Sequence, residues 1–444
     1  MNTQLGDHFT FKKLIKFVLP AIGTMMFTSI YGMVDGFFVS NFIGKTPLTA
    51  INLIAPVHMI LATVGFMFGT GGTAIVSKTM GEGDEERANR YFSLFVCFAF
   101  AIGAVLGILS CIFMRPLAYR LGARDEVLEA CVVYGRIIMA VLPFFVMQLL
   151  FHSFFIAAEK NGTNLLVTIA AGVTNMILDA ILVVLLPTEY KLIGAAVATA
   201  ISQVIGGGVP LIYFLRKNSS KFRLKKPTFE GRALLKATIN GSSEFMSNVS
   251  MNLVAVLFNF QLDKFAGPDG IAAYGVMMYV SFLFASAFIG YSIGVAPLVG
   301  FNFGAGNKTE LKNLLRKSLT IIGSMAVVMV LVAEAIALPL TRIFVGYDAD
   351  LASLTLSGFR IFSLGFMFMG FAIFGSGFFT ALNDGITSAI ISFLRTVVFE
   401  VACVLILPKF LGVDGIWFSI VAAEFMAVLL SFIFLKTKQK RFGY

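Results

Sequence analysis

The sequence is poor in charged residues. Only 13 % of its 444 residues are charged, whereas 58 % are hydrophobic. A soluble protein of this length carries roughly 25 % charged residues, which it needs to cover a water-facing surface. The shortage argues against a soluble globular protein and indicates a membrane protein.

Motifs of catalytic and metal sites are also missing. The four cysteines are scattered and form no CxxC pair, so we interpret them as small buried apolar residues. His58 and His152 stand alone, without metal-ligand spacing. The chain has no HExxH, GxSxG or Walker motif. We therefore expect neither an enzyme nor an ATP-driven pump, and no cofactor.

The net charge of +10 does not indicate a nucleic-acid partner, because Lys and Arg stand in short runs between long apolar stretches. Aromatic residues lie within those stretches and do not alternate with basic ones. The first 17 residues include Asp7 and are followed by no small-residue cleavage site. We interpret them as a cytoplasmic tail and not as a signal peptide.

The apolar stretches predict twelve transmembrane helices, since a span needs roughly 20 predominantly apolar residues. They lie at about 14–40, 48–77, 91–114, 132–158, 163–187, 192–215, 233–262, 271–301, 318–341, 357–382, 386–407 and 413–435. Lys and Arg are concentrated in the loops on the side of the N-terminus. By the positive-inside rule, this distribution predicts a multi-pass protein of the plasma membrane with both termini in the cytoplasm.

The two halves of the chain are related in sequence. The largest basic cluster, 216–236, lies at the middle and predicts an N-terminal six-helix lobe (1–215), a basic cytoplasmic linker (216–232) and a C-terminal six-helix lobe (233–444). A shift of 223 residues aligns Gly44 with Gly267, and the segment MGEGD with FGAGN. Transporters built from such repeats bind their substrates near the bilayer midplane, between the repeats.

Ionisable residues within the predicted spans are candidates for function. Such a residue costs about 3 kcal/mol to insert and is a functional hypothesis by default. The acidic candidates outnumber the basic ones, which favours a cavity that holds cations; they are Asp35, Asp179, Glu244, Glu334, Glu400 and Glu424. Glu334 and Glu424 have no supporting pattern and receive no role.

Helix one offers a carboxylate that could bind and release a proton. Asp35 has no neighbouring Lys or Arg, and Tyr31, one turn earlier on the same face, could hydrogen-bond it. Pro20 removes one backbone hydrogen bond and is expected to kink the same helix. We interpret Pro20 and Tyr31 as parts of a switch. The alternatives are an Asp and a Pro that serve packing alone.

Helix five carries a second candidate. Asn175 and Asp179 are spaced i, i+4, which places both on one face of the helix. With Thr199 of helix six they offer carboxylate, amide and hydroxyl oxygens, which suit a hard cation or a proton relay. The spacing alone leaves a structural hydrogen bond between helices equally open.

The second half opens with a polar helix wall that contains Glu244 and Asn248. Glu400 shares a later helix with Arg395. We predict that Glu244, Asn248 and Glu400 belong to a substrate cavity; a structural hydrogen-bond seam is the alternative. The many Phe and Met residues would make such a cavity adaptable and attractive to flat hydrophobic cations.

Several motifs resemble the multidrug and toxic compound extrusion (MATE) family over nearly the whole chain. They are VDGFFVSNFIG in helix one, GEGDEERA after helix two, TNMILDA in helix five, GAAVATAISQ in helix six and FGAGN after helix eight. GSSEF, at the start of the second half, is similar to the bacterial MepA-like branch. The resemblance implies an all-α polytopic membrane protein, in which two six-helix bundles related by a pseudo-two-fold axis form a V.

The resemblance also implies a function. It implies export of cationic or amphipathic organic compounds by antiport with Na⁺ or H⁺, in a protein that we expect to act as a monomer in the lipid bilayer. The implied coupling-ion site consists of Asp35, Asn175, Asp179 and Thr199, and the implied helix-one bend lies at Pro20. No metal is expected apart from Na⁺ at this site. Ala180 departs from the family, whose members commonly carry Pro there.

Two other classes remain to be compared. A lipid-linked oligosaccharide flippase of the same superfamily would need several basic residues in its cleft to neutralise a pyrophosphate, yet helix one has no cation after Lys16. A channel would repeat its pore lining by oligomerisation, whereas the repeat here is internal.

Overall fold

The computed structural model describes residues 4–444, apart from the side chain of Asn252, and this part of the chain is almost entirely helical. Within it, nine helices are long and apolar enough to cross a membrane, and two bent helix pairs supply two more spans. The longest helix, Gly231–Gly304, is interrupted by the non-helical Gly267 and forms two spans. The predicted twelve transmembrane helices are thereby confirmed.

The first six spans form one half of the molecule. They are α1 (Phe11–Phe42), α2 (Lys45–Gly81), α3 (Glu85–Ile112), α4 (Asp125–Ala140 with Leu142–Ala157), α5 (Asn161–Leu182) and α6 (Lys191–Leu215). The other six are α7 (231–266), α8 (268–304), α9 (Lys308–Val345), α10 (Ala349–Ser363 with Phe366–Ala381), α11 (Gly385–Leu411) and α12 (Val413–Phe442). A short helix, Met114–Arg120, follows α3.

The turns of the two halves repeat the correspondence found in the sequence. Gly44 and Gly267, each between the first two spans of its half, both have positive φ, at 97° and 62°. Only glycine adopts such angles without strain. Asp84 and Asn307 both cap the third span of their halves, because each side-chain oxygen accepts a hydrogen bond from the backbone N–H three residues on, at 2.9 and 3.1 Å.

The fourth span of each half is bent. α4 turns by 52° near Val141, and α10 turns by 45° at Leu364–Gly365. The sequence predicted single continuous helices over both regions. Pro143 accounts for the first break, since its nitrogen cannot donate to the preceding turn. Gly365 weakens the second helix through its backbone freedom.

The two halves contact each other near the ends of α2, α7 and α8 that lie on the side of the N-terminus. A Cβ atom added to Gly81 would lie 2.0 Å from the carbonyl oxygen of Phe301, and one added to Gly304 would lie 1.9 Å from that of Lys78. These two reciprocal contacts require glycine and are related by the internal repeat. The helices therefore pack backbone against backbone, which closes the space between the lobes on this side.

The connection between the halves is docked to the N-terminal lobe. Residues 216–230 are non-helical. The backbone N–H of Arg223 donates to Asn89 Oδ1 at 2.9 Å, and the ring of Phe222 stacks on Phe92 with centroids 5.2 Å apart. The connecting segment therefore packs along the N-terminal end of α3.

Candidate coupling-ion site and substrate cavity

Two carboxylates from different spans meet inside the N-terminal lobe. Asp35 of α1 lies within hydrogen-bonding reach of Asp179 and of the Asn175 amide on α5. Asp179 is fully buried and Asn175 is 2 % exposed. The structure therefore brings three of the four residues of the predicted ion site together.

The packing of α1 on α5 explains this proximity. The aromatic ring of Tyr31 covers Gly172, where an added Cβ would lie 2.8 Å from the ring. The two helices run in the same direction, so Asp35, one turn beyond Tyr31, reaches the level of the next turns of α5. Asn175 and Asp179 present their side chains there because their i, i+4 spacing places them on one helix face.

Four side-chain oxygens of this cluster lack protein donors. Among residues 4–444, no hydrogen bond is donated to Asp35 Oδ1, to either carboxylate oxygen of Asp179, or to Asn175 Oδ1, and all four atoms are buried. Two facing carboxylates in a medium of low polarity repel each other if both are ionised. They are stable when they share a proton or surround a cation. The donor set, carboxylate and amide oxygen, fits H⁺ or Na⁺.

Thr199 lies on α6, which packs antiparallel to α5. Ser202 Oγ donates to the Ala171 carbonyl oxygen at 2.9 Å, and Gly194 lies against Leu182. The half-buried Thr199 stands between these two contacts, and hence at the level of the α5 pair. Its role as an ion ligand stays a prediction.

The predicted contact from Tyr31 to Asp35 is wrong for the described structure. The Tyr31 hydroxyl instead accepts a hydrogen bond from Gln148 Nε2 of α4 at 3.5 Å, because the ring packs over Gly172 and points the hydroxyl towards α4. α1 also continues through Pro20 without interruption, and Thr24 Oγ1 donates to the Pro20 carbonyl oxygen at 2.9 Å. The helix is therefore unbroken at Pro20, and the kink expected there stays a prediction.

The C-terminal lobe contains a cavity of about 170 Å³ between α7, α8, α10, α11 and α12. Glu244, Asn248 and Glu400, the three residues predicted for a substrate cavity, all line it. Aromatic and thioether side chains form much of the remaining wall; they include Met251, Phe258, Tyr274, Met278, Phe282 and Met369. The cavity thus combines carboxylates with adaptable apolar surface.

Sequence analysis missed an ion pair in this cavity. Arg395 binds the Glu424 carboxylate through two nitrogens, with Nε–Oε2 at 2.9 Å and Nη2–Oε1 at 2.6 Å. Glu424, which received no role, is 1 % exposed. Since Glu244 and Glu400 also face Arg395, the three carboxylates and one guanidinium carry a formal charge of −2 when ionised. This balance suits a cationic solute.

The local helix geometry is unusual at Arg395. Residues Leu394–Phe399 form a π-helical turn within α11. Such widened turns commonly occur at functional sites, where they change the direction of side chains. Glu334, the other unassigned carboxylate, binds Arg360 at 3.7 Å and accepts from Ser363 at 2.8 Å, and it does not line the cavity.

Two polar residues near the N-terminal cluster were also missed. Tyr134 of α4 is 7 % exposed and is close enough to Asp35 and Asp179 to interact electrostatically with both carboxylates. Gln148, further along α4, holds the Tyr31 hydroxyl. Gln148 stands within an apolar run, and a lone amide in a predicted span is the signal that could have drawn attention to it.

The family model described as MatE matches the chain twice, over residues 20–181 and 244–406. These matches cover most of both halves. The chain belongs to the MatE family. The second match begins 224 residues after the first, in line with the repeat seen in the turns.

Curated relatives and solved structures agree with this assignment. The chain is 27 % identical to multidrug export protein MepA of Staphylococcus saprophyticus over 95 % of its length and 93 % of the relative, and 25 % identical to MepA of Staphylococcus aureus over the same shares. A crystal structure of MATE in complex with MaL6 superposes with a TM-score of 0.92 at 20 % identity, covering 99 % of this chain and 98 % of the other.

A second solved structure has the same fold. It shows the outward-facing conformation of a multidrug resistance MATE family transporter and superposes with a TM-score of 0.91 at 21 % identity, covering 99 % of this chain and 97 % of the other. The MatE fold of this chain is therefore established along its whole length.

Proposed function

We propose that this MatE protein exports cationic or amphipathic organic compounds from the cell, in exchange for Na⁺ or H⁺ that enters. The protein acts as a monomer in the plasma membrane, with both termini in the cytoplasm. The ion binds at Asp35, Asn175 and Asp179, with Thr199 as a further ligand, and the compound binds in the cavity of the C-terminal lobe.

The main support for this proposal is the proximity of the Asp35 and Asp179 carboxylates. Three carboxylate oxygens of this pair are buried and have no protein donor. Such a pair is stable when it holds a proton or a cation, so its occupancy should change with pH or Na⁺. The cavity that would hold the exported compound lies in the other lobe. An ion and a solute can then bind at separate sites, and each influences the other through the arrangement of the lobes.

Two further observations support a cationic or amphipathic substrate. The MepA relatives are named multidrug export proteins. The C-terminal cavity contains three carboxylates and one guanidinium together with aromatic and methionine side chains, which attract flat hydrophobic cations.

The flippase alternative is not favoured by this cavity. A pyrophosphate substrate would require basic side chains that are free to bind it. Among the described residues, Arg395 alone supplies a basic side chain to the cavity lining, and Glu424 pairs with it.

Transport in proteoliposomes tests the proposal. A fluorescent cationic dye would be followed under a Na⁺ gradient and under a pH gradient, each imposed separately. We expect at least one gradient to drive dye movement against its own concentration gradient. If neither does, the antiport function is wrong.

A further inference from the structure

A second apolar concavity opens on the outside of the molecule, towards the membrane. This groove has a volume of about 480 Å³ and lies between α1, α8 and α9, where the two lobes meet. Its walls include Ile15 and Leu19 of α1 and Met325 and Val328 of α9. All four residues are at least partly exposed, so the groove faces hydrocarbon and not the interior of the protein.

The few polar side chains that line the groove already donate hydrogen bonds within the protein. Thr320 Oγ1 and Ser324 Oγ each donate to a backbone carbonyl of their own helix at 3.0 Å. The Tyr291 hydroxyl donates to Ser318 at 2.9 Å in the protein interior. The wall therefore offers an occupant hydrocarbon contacts and almost no hydrogen bonds, as an acyl chain requires.

The end of the groove on the side of the N-terminus is strongly basic. Lys317 lies one turn before Ile321 of the wall, and its Nζ is 5.6 Å from the ring centroid of Phe11, which also lines the groove. Lys317 donates to the carbonyl of Phe9 at 2.6 Å and, among the described residues, forms no ion pair that would offset its charge. Arg316 is exposed beside it.

Further basic residues flank this end. Lys12 and Lys16 of α1 are exposed, and in the described part of the chain neither they nor Arg316 form an ion pair. Among the acidic residues of this region, Asp7 pairs with Lys13 at 2.7 Å. Glu310 contacts His8 at 2.7 Å and contributes at most one negative charge, against the four basic residues Lys12, Lys16, Arg316 and Lys317. This end of the groove therefore has a local excess of positive charge at the level of the lipid headgroups.

We propose that this groove binds one anionic phospholipid from the leaflet on the side of the N-terminus. An acyl chain lies along the wall between α1 and α9, and the phosphate lies beside Arg316 and Lys317. The positive charge at this end of the groove favours an anionic lipid. An amphipathic cation would be repelled there, and a zwitterionic lipid would gain less binding free energy from the basic residues. Since α1 belongs to one lobe and α9 to the other, the lipid bridges the two.

Fluorescence quenching by brominated lipids tests this site. The chain contains a single tryptophan, Trp417, which is fully buried. Leu19→Trp adds a reporter at the rim of the groove, and Val327→Trp adds one on a lipid-exposed face of α9 outside it. Both variants share Trp417, so their difference reports the added position. Each would be titrated with brominated phosphatidylglycerol and with brominated phosphatidylcholine.

We expect phosphatidylglycerol to bind about fivefold more tightly than phosphatidylcholine at Leu19→Trp, which corresponds to ~1 kcal/mol. At Val327→Trp the two lipids should bind equally. Adding Arg316→Gln and Lys317→Gln to Leu19→Trp should abolish the preference, although the amide introduced by Lys317→Gln can still donate to Phe9. Lys440→Gln, which changes a basic residue at the far end of α12, is the matched control and should leave the preference unchanged.

The proposal fails if the two lipids quench Leu19→Trp equally. It also fails if the preference is the same at Val327→Trp, since that result shows only a general attraction of the protein surface for anionic lipid. A preference that survives the loss of Arg316 and Lys317 would place the phosphate elsewhere and contradict the site. Near-ultraviolet circular dichroism of each variant would establish that it is folded.

Discussion

Asp35 of the first span and Asp179 of the fifth lie within hydrogen-bonding reach of each other, in a region where the Asp179 oxygens have no protein donor. This pair joins α1 to α5 only when its charge is balanced. Binding of an ion there therefore changes the interaction of α1 with the rest of its lobe. A movement of α1 would also affect the C-terminal lobe, because α1 packs directly on α8, where Gly290 lies against Ile22.

Replacing the carboxylate of α1 should stop coupled transport. Asp35→Asn keeps the size and polarity of the side chain but removes the charge that binds the ion, so gradient-driven dye efflux should fall to the level of empty liposomes. Melting temperature would show that the variant is folded. Asp263→Asn, which changes an exposed carboxylate at the end of α7, is the matched control and should transport normally. Wild-type efflux by Asp35→Asn would remove this residue from the mechanism.

Pro20 should matter for coupling more than for ion binding. α1 is continuous in this arrangement, but Pro20 leaves one carbonyl of the preceding turn without its helical donor. A bend at this position is therefore less costly than elsewhere in α1. Pro20→Ala restores the donor and should weaken the effect of pH or Na⁺ on dye affinity, measured by fluorescence anisotropy, while ion binding itself persists. Unchanged coupling in Pro20→Ala would argue against a switch in α1.

Glu244 is expected to contact the positive charge of a substrate directly. A charge-assisted contact contributes roughly 1.5–3 kcal/mol, so Glu244→Gln should weaken binding of cationic dyes about tenfold or more. Neutral compounds of similar size should bind nearly as before. Glu334→Gln, outside the cavity, serves as the control. Equal losses for cationic and neutral compounds would mean that Glu244 maintains the shape of the cavity and does not bind the charge.

The ion pair of Arg395 and Glu424 should stabilise the C-terminal lobe. Removing one partner of a buried pair costs about 3–5 kcal/mol. Without Glu424, Arg395 would lose its direct hydrogen bonds, and only the Coulombic attraction of Glu244 and Glu400 would remain. Glu424→Leu should therefore lower the melting temperature strongly, whereas the double variant Arg395→Met/Glu424→Leu should recover much of the loss. Calorimetry of the single and double variants measures this coupling. Additive effects would show that the two side chains are energetically independent.

The sequence predicted the architecture well because each span must satisfy its own backbone hydrogen bonds in the membrane and therefore appears as a long apolar run. The repeat was visible because turns with positive φ, such as those at Gly44 and Gly267, require glycine in both halves. The bends of α4 and α10 were not predicted. Hydropathy does not change across a bend, since both parts of the helix remain in hydrocarbon.

The site was predicted only in part, for a similar reason. The i, i+4 spacing of Asn175 and Asp179 is a local pattern that sequence can show. The contacts of Tyr31 with Gln148 and of Arg395 with Glu424 depend on how distant spans pack, which one sequence does not reveal. Glu424 received no role because its partner lies on another helix, although a buried carboxylate and a buried guanidinium are each expected to have one.

The dependence of dye affinity on the coupling ion tests the central claim most directly. The equilibrium dissociation constant of a cationic dye would be measured in wild type and in Asp35→Asn, across a range of pH and of Na⁺ concentration. Binding free energies of two coupled ligands must influence each other reciprocally. We predict that the affinity of wild type changes with at least one of these ions, and that this dependence is lost in Asp35→Asn. An equal dependence in both proteins would contradict ion coupling through the site of Asp35 and Asp179.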